Sequence, residues 1–215
     1  MRRKRDENEE ALIERAQKKM LELNQHEQFS DFTFTVQDEQ FYVSKIVLSG
    51  ISPYFRNKFE TEWRFKSSVD LEWKHSLSAF SCMIEYIYTC SYEQHTWHLG
   101  LFPVQLVKFL FEVYHLAEEY EIPGLKERVL EHLPSAVNAL DCPWGFYYLV
   151  NDDYISDSEL GKIFVAAVAD NVQDMQAFED LDIAKLYLVK TPEFAADLVS
   201  ELIKRRISNC ECGNR

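Results

Sequence analysis

The sequence predicts an α+β protein: a small β-sheet among clustered α-helices, followed by an all-helical extension. Three observations predict it. Short stretches near 31–43 and 69–73 alternate apolar and polar residues, the period of a half-buried strand. The longer stretches between and after them repeat apolar residues every three or four positions, the period of a helix. Beyond residue 134 only the helical period remains, and no internal repeat or low-complexity tract is present.

The elements follow in order. Residues 6–28 predict one polar helix with Ile13, Ala16, Met20 and Leu23 on a narrow apolar stripe. Such a stripe needs a surface to cover, on its own domain or on a second copy of the chain. Phe32, Phe34 and Val36 alternate with Thr33 and Thr35; after the polar Gln37-Asp38-Glu39, Phe41 and Val43 resume the alternation, which predicts a hairpin. Residues 44–62 read as helical, with Ser52 as an N-cap before Pro53, where a missing N–H is harmless. Val69, Leu71 and Trp73 alternate with charged residues and predict a third strand.

Phe80, Met83, Ile84, Ile87 and Tyr88 then mark a helix behind the cap-type residues Ser76 and Ser78. A loop rich in His and Trp follows. Residues 103–119 are apolar on almost every side, as in a helix inside a domain. After Pro123-Gly124 comes a helix carrying Leu125, Val129 and Leu133, and Pro134 with Cys142-Pro143 brackets a boundary. In the tail, Ser156-Asp157-Ser158-Glu159 holds a capping box before Leu160, Ile163, Phe164, Ala167 and Val168. Thr191-Pro192 starts the last helix, with Lys204, Arg205 and Arg206 placed to favour the dipole at its end. Residues 181–189 fit helix and strand equally.

Composition narrows the function. With 215 residues, 47% hydrophobic and 27% charged, the chain is long and apolar enough to bury a core. A net charge of −13 repels phosphate backbones and argues against nucleic acid as a partner. No run approaches the ~20 apolar residues of a membrane span. Arg2-Arg3-Lys4-Arg5 leads into acidic residues rather than an apolar signal core, so an intracellular protein is expected, in nucleus or cytoplasm, the basic run fitting an import signal or a solvated end. Five scattered cysteines read as reduced thiols, not a disulfide framework.

Chemistry-bearing patterns are sparse. Cys210-Glu211-Cys212 is at most half of a tetrahedral metal site, and His95-x-x-His98 behind Cys90 lacks further ligands nearby; a frayed end and a solvated loop are the simpler readings. Asn151-Asp152-Asp153 and Glu118-Glu119 have no partnered base in the sequence. The glycines are isolated, which excludes a phosphate cradle and a nucleophile elbow. Neither catalysis, nor a metal or other cofactor, nor a small-molecule substrate is expected.

One stretch resembles a known family. Phe29-Ser30-Asp31-Phe32-Thr33-Phe34, Phe41-Tyr42-Val43-Ser44-Lys45-Ile46-Val47-Leu48-Ser49 and Ser52-Pro53-Tyr54-Phe55 come first. Ala79-Phe80, Ile84-Glu85-Tyr86-Ile87-Tyr88-Thr89, Tyr114, Leu116-Ala117-Glu118, Tyr120 and Pro123-Gly124-Leu125 complete the set. In this order and spacing they resemble the BTB/POZ domain over residues 29–133, with 1–28 as an N-terminal helical extension and 134–215 as a helical C-terminal extension. The whole chain looks most like the stand-alone fungal type. Ser44 stands where the family usually has His, Gly50-Ile51 replaces a small or polar pair, and the loop 90–102 is longer and more aromatic than usual.

The resemblance implies a protein–protein interaction module, self-associating as a homodimer, in a regulatory or scaffold role. It places the dimer contact on Ile13, Ala16, Met20 and Leu23 together with Phe32 and Phe34. It pairs Asp31 with Lys45 in a charged pocket at the dimer, against the simpler reading of an intrachain surface ion pair. The second implied function is a substrate adaptor for a cullin-type ubiquitin ligase. Such adaptors carry a hydrophobic-x-Glu element between the second helix and the next strand; Trp63 and Phe65 are the hydrophobic candidates here, with Phe65 and Ser67 where the glutamate would stand. Partner choice falls to these surfaces, the loop 90–102 or the tail.

Overall fold

The computed structural model describes residues 2–24, 26–72, 74–91, 102–140, 156, 158–171, 189 and 191–212. Helix α1 (Arg2–Asn24) leads through a short 3-10 turn at Glu27–Phe29 into β1 (Phe32–Val36) and β2 (Glu39–Val43). Gln37 and Asp38 join the strands with φ of 50° and 69°. Two left-handed residues in a row match the twist of the flanking strands, so the hairpin closes tightly. Phe34 pairs with Phe41 and Phe32 with Val43. Phe32, Phe34 and Val36 turn inward, while Thr33 and Thr35 keep partial exposure on the other face.

Strand β3 (Ser68–Asp70) lies parallel to β1 on its other side, giving the order β2-β1-β3. It is shorter than the alternation through Trp73 predicts. The carboxylate of Asp70 accepts the Glu72 N–H at 2.7 Å, and Glu72 has a φ of 51°, so the chain turns out of the strand. Trp73 lies outside the described residues.

Between β2 and β3 stand α2 (Lys45–Ile51) and α3 (Pro53–Glu60). Ser52 caps α3: its Oγ accepts the Phe55 N–H at 3.1 Å and donates to the Tyr120 carbonyl at 2.5 Å, entirely buried. Ser76 caps α4 (Leu77–Thr89) by accepting the Ala79 N–H, and Cys90, at φ 56°, closes that helix in the left-handed conformation. Helices α5 (Pro103–Glu119) and α6 (Pro123–Asn138) follow. Gly124 lets the start of α6 approach the Tyr86 hydroxyl; a Cβ there would push that side chain aside. Pro134, expected at a boundary, sits inside α6. In the tail, α7 (Glu159–Asn171) and α8 (Pro192–Cys212) form, but α7 starts two residues later than the expected capping box places it: Ser158 accepts the Gly161 N–H at 2.8 Å, while Ser156 donates to the Asp197 carboxylate at 2.6 Å.

The chain divides into two compact units, Met1–Leu99 with Glu112–Glu127, and Gly100–Phe111 with Arg128–Arg215. The first is organised by aromatic rings. Phe34 meets Phe55, Trp63 and Phe80 at 5.6–5.8 Å between centroids, and Phe55 stacks on Tyr120 at 5.0 Å. Several of these contacts are edge-to-face, the arrangement the ring quadrupoles favour. In the second unit Phe164 of α7 meets Phe111 and Phe194. Arg205 does not serve the end of its own helix, as its sequence position suggests, because α8 continues to Cys212. It reaches across to α7, where it donates to the Ala166 carbonyl at 2.9 Å and pairs with Asp170, so its charge sits at the negative end of the neighbouring helix.

One titratable group in the first unit is packed against this core. His75 precedes the cap of α4, lies parallel to Phe80, and makes a 2.8 Å hydrogen bond between Nε2 and the Tyr120 hydroxyl. Burial pulls its pKa below the ordinary value; the Glu119 carboxylate at 3.9 Å pulls the other way, and Lys74 adds to the depression. The unfolded chain, with His near 6.5, therefore binds the proton more readily than the fold. The neutral ring's stabilisation is complete above that value and is lost as pH falls below it, by at most about 1.4 kcal/mol per pH unit. Urea unfolding of the wild type and of His75→Gln across this range is expected to show that slope in the difference between them; parallel curves would refute it.

Candidate functional site

The described part of α1 carries apolar residues that its own chain leaves uncovered. The helix packs near α4 and the 3-10 turn, yet only Gln17 and Leu21 among its described side chains are even half-buried. Leu12, Ile13, Met20 and Leu23 are 66%, 52%, 47% and 37% exposed, and Ala16 between them is exposed too. A single exposed Leu is unexceptional, but a row at helical spacing is an unsatisfied face. Leu12 belongs to this row and was not singled out from sequence, although its place four residues before Ala16 signals it. Phe29, at the end of the 3-10 turn and within the stretch where the resemblance places the dimer contact, is 56% exposed.

Phe32 and Phe34 do not share this surface, contrary to the expectation that they line the dimer contact. They are 2% and 0% exposed; their rings meet edge-to-face, and Trp63 stacks on Phe32 and meets Phe34 edge-on. The same alternation that marks them as strand residues turns them to the interior face.

Asp31 and Lys45 are joined, but not as two side-chain charges. The Asp31 carboxylate accepts the backbone N–H of Lys45 at 2.7 Å, at the first position of α2. The caps on α3 and α4 come from the residue just before each helix; on α2 the oxygen comes from fourteen residues upstream, and Ser44, the residue before α2, makes no such side-chain bond. The Lys45 ammonium instead donates to the Lys66 carbonyl at 2.8 Å and lies over the rings of Phe32 and Phe59 at 5.0 and 5.6 Å. The carboxylate thus meets the positive end of a helix, while the ammonium faces aromatic π-density. Nearby, the Ser44 N–H donates to the Tyr88 hydroxyl at 2.8 Å, and burial pushes that phenol up to about 12.

The loop after α3 separates the two remaining candidates. Trp63 is 4% exposed and packs among Phe32, Phe34, Phe55 and Phe59, so it is a core residue and not a partner contact. Phe65, two residues on, is 92% exposed, with the Arg64 guanidinium 5.3 Å from its ring. Beside it, the outer face of the sheet forms an open polar cleft lined by Asp31, Thr33, Thr35, Tyr42, Ser67 and Ser68, among others.

Cys82 is buried, which raises its thiol pKa, and Cys90 is exposed. Among the described residues no His, Cys, Asp and Glu cluster could hold a metal ion, and no helix is long and apolar enough to cross a membrane. His95 and His98, most of the loop 90–102, and the side chains of Cys210 and Cys212 lie outside the described residues.

Among the described residues, then, a three-stranded sheet with a parallel edge strand is accompanied by short helices, and the apolar row of α1 stays exposed. The BTB/POZ domain family model matches residues 20–136, more than half of the chain. The chain belongs to the BTB/POZ family, whose domains are protein–protein interaction modules. Among solved structures, the BTB domain of zebrafish PATZ1 is 15% identical, with a TM-score of 0.43, covering 60% of this chain and 94% of its own. The BTB domain of human gigaxonin is 21% identical, also at 0.43, covering 56% of this chain and 89% of its own. No curated protein matches the sequence.

The cap predicts how position 31 responds to substitution. Asp31→Asn keeps an oxygen on the Lys45 N–H and is expected to lose little stability; Asp31→Ala loses the cap and about 1 kcal/mol. Equal loss in both variants, measured by chemical unfolding, would assign the effect to charge instead.

Proposed function

We propose that this BTB protein self-associates through α1 as a homodimer and acts as a non-enzymatic regulatory or scaffold protein. The observation that carries the reading is the exposed row Leu12, Ile13, Ala16, Met20 and Leu23. Two-fold symmetry supplies the simplest cover for such a row, because the same face on a second copy is already complementary in chemistry. Neither Phe32 nor Phe34 takes part directly; they hold the strand that follows α1.

Burial of one large aliphatic side chain is worth roughly 1.5–3 kcal/mol. Ile13→Asp combined with Met20→Asp is therefore expected to shift the light-scattering mass from dimer to monomer at equal concentration, with the circular dichroism spectrum retained. A wild type of monomeric mass would end the proposal.

A second reading, a substrate adaptor for a cullin-type ubiquitin ligase, is favoured by one observation: Phe65 stands 92% exposed in the loop where such adaptors present a hydrophobic residue. Ser67 stands at the glutamate position of that element, so the pattern is incomplete. The full chain is expected to retain a cullin N-terminal domain in a pull-down and to lose it on Phe65→Ala; no retention by the wild type excludes the adaptor role.

A further inference from the structure

The surface around Phe65 differs in charge from the rest of the molecule. In a chain of net charge −13, the segment 45–66 holds five cations, Lys45, Arg56, Lys58, Arg64 and Lys66, against only Glu60 and Glu62. Glu62 is taken up by Lys58, and neither Arg64 nor Lys66 stands in an ion pair among the described residues. Directly after this patch come Ser67 and Ser68, both exposed and both lining the open cleft beside the sheet.

We propose that Ser67 is a phosphorylation site for a protein kinase that reads an arginine three residues before the acceptor. Arg64-Phe65-Lys66-Ser67 supplies that arginine at the third position before the serine and a further cation immediately before it. Acidic pockets on such kinases recognise this charge pattern. The Ser67 hydroxyl is exposed and makes no hydrogen bond among the described residues, while its backbone carbonyl is anchored by the Thr33 N–H at 2.9 Å. Arg64 and Lys66 are exposed as well. The sequence holds a second arginine three before a serine, Arg205 before Ser208, but that stretch is wound into α8, whereas Arg64 to Ser67 lies in a surface turn and bend outside any helix.

The transfer balances with ATP as donor. The Ser67 Oγ forms a bond to the γ-phosphorus while the bond from that phosphorus to the β,γ-bridging oxygen breaks. ADP leaves with the electron pair, and the hydroxyl proton passes to the kinase's carboxylate base and then to solvent. The product carries nearly two negative charges at neutral pH. It follows Arg64 and Lys66 directly in the chain and shares its cleft with Asp31 and Glu27. Modification therefore cancels most of the positive excess beside Phe65 and changes which partner charge that surface accepts. The inference does not depend on the homodimer or the adaptor reading.

The test incubates the full-length folded chain with a kinase of that specificity and ATP, followed by intact-mass and peptide mass spectrometry. One phosphate at Ser67 is expected in the wild type, Ser68→Ala and Ser208→Ala, and none in Ser67→Ala. Arg64→Ala is expected to lower the initial rate about tenfold, the loss of one charge-assisted contact with the kinase. No incorporation, incorporation at Ser208 or Ser68 in place of Ser67, or a rate indifferent to Arg64 would overturn the assignment.

Discussion

The first unit depends on one buried hydroxyl. Ser52 is fully enclosed, and its Oγ joins the start of α3 to the Tyr120 carbonyl at the end of α5, sixty-eight residues away. Both groups are polar and shut off from water, so each satisfies the other; a carbonyl left unpaired there would cost about 1–3 kcal/mol. The link extends further. The Tyr120 ring stacks on Phe55, its hydroxyl bonds His75, and the His75 carbonyl accepts from the Gln37 side chain at 2.7 Å. The hairpin turn, the approach to α4, the first turn of α3 and the end of α5 are thus tied by a short chain of polar contacts running through an aromatic core.

That core decides what is left for partners. Phe32, Phe34, Phe55, Trp63 and Phe80 are consumed inside, and Lys45 covers the edge of the cluster with its ammonium over two rings. Apolar residues that cannot reach the cluster stay outside: the α1 row on one element and Phe65 on another. An interaction module is the consequence of this division, since the interior is filled and stabilised without them and each exposed group can be spent on another chain.

Electrostatics adds a second division. The molecule is acidic overall, yet residues 45–66 carry five cations against two carboxylates. At physiological ionic strength, charges are screened over roughly 8 Å, so a partner near Phe65 senses this local patch more than the distant acidic surface. A phosphate-sized change in charge at such a place alters local recognition without touching the core.

The sequence by itself determined the elements and their order, because period and caps are local properties: the hairpin, the Ser52-Pro53 start, the Ser76 cap and the α1 stripe are all legible in it. Even the inward set of β1 follows from alternation, although the same pattern says nothing of whether the buried neighbour is the same chain or another; the resemblance points Phe32 and Phe34 to a partner, and the fold keeps them inside. Only the tertiary structure decided between Trp63 and Phe65, two aromatic residues two positions apart with opposite fates, since that depends on rings arriving from β1 and α3. Only it turned Asp31 from a charge partner into a helix cap and gave Arg205 to a neighbouring helix. Side-chain identity sets what a residue can bond; distance in space, which the order of residues does not contain, sets what it does bond.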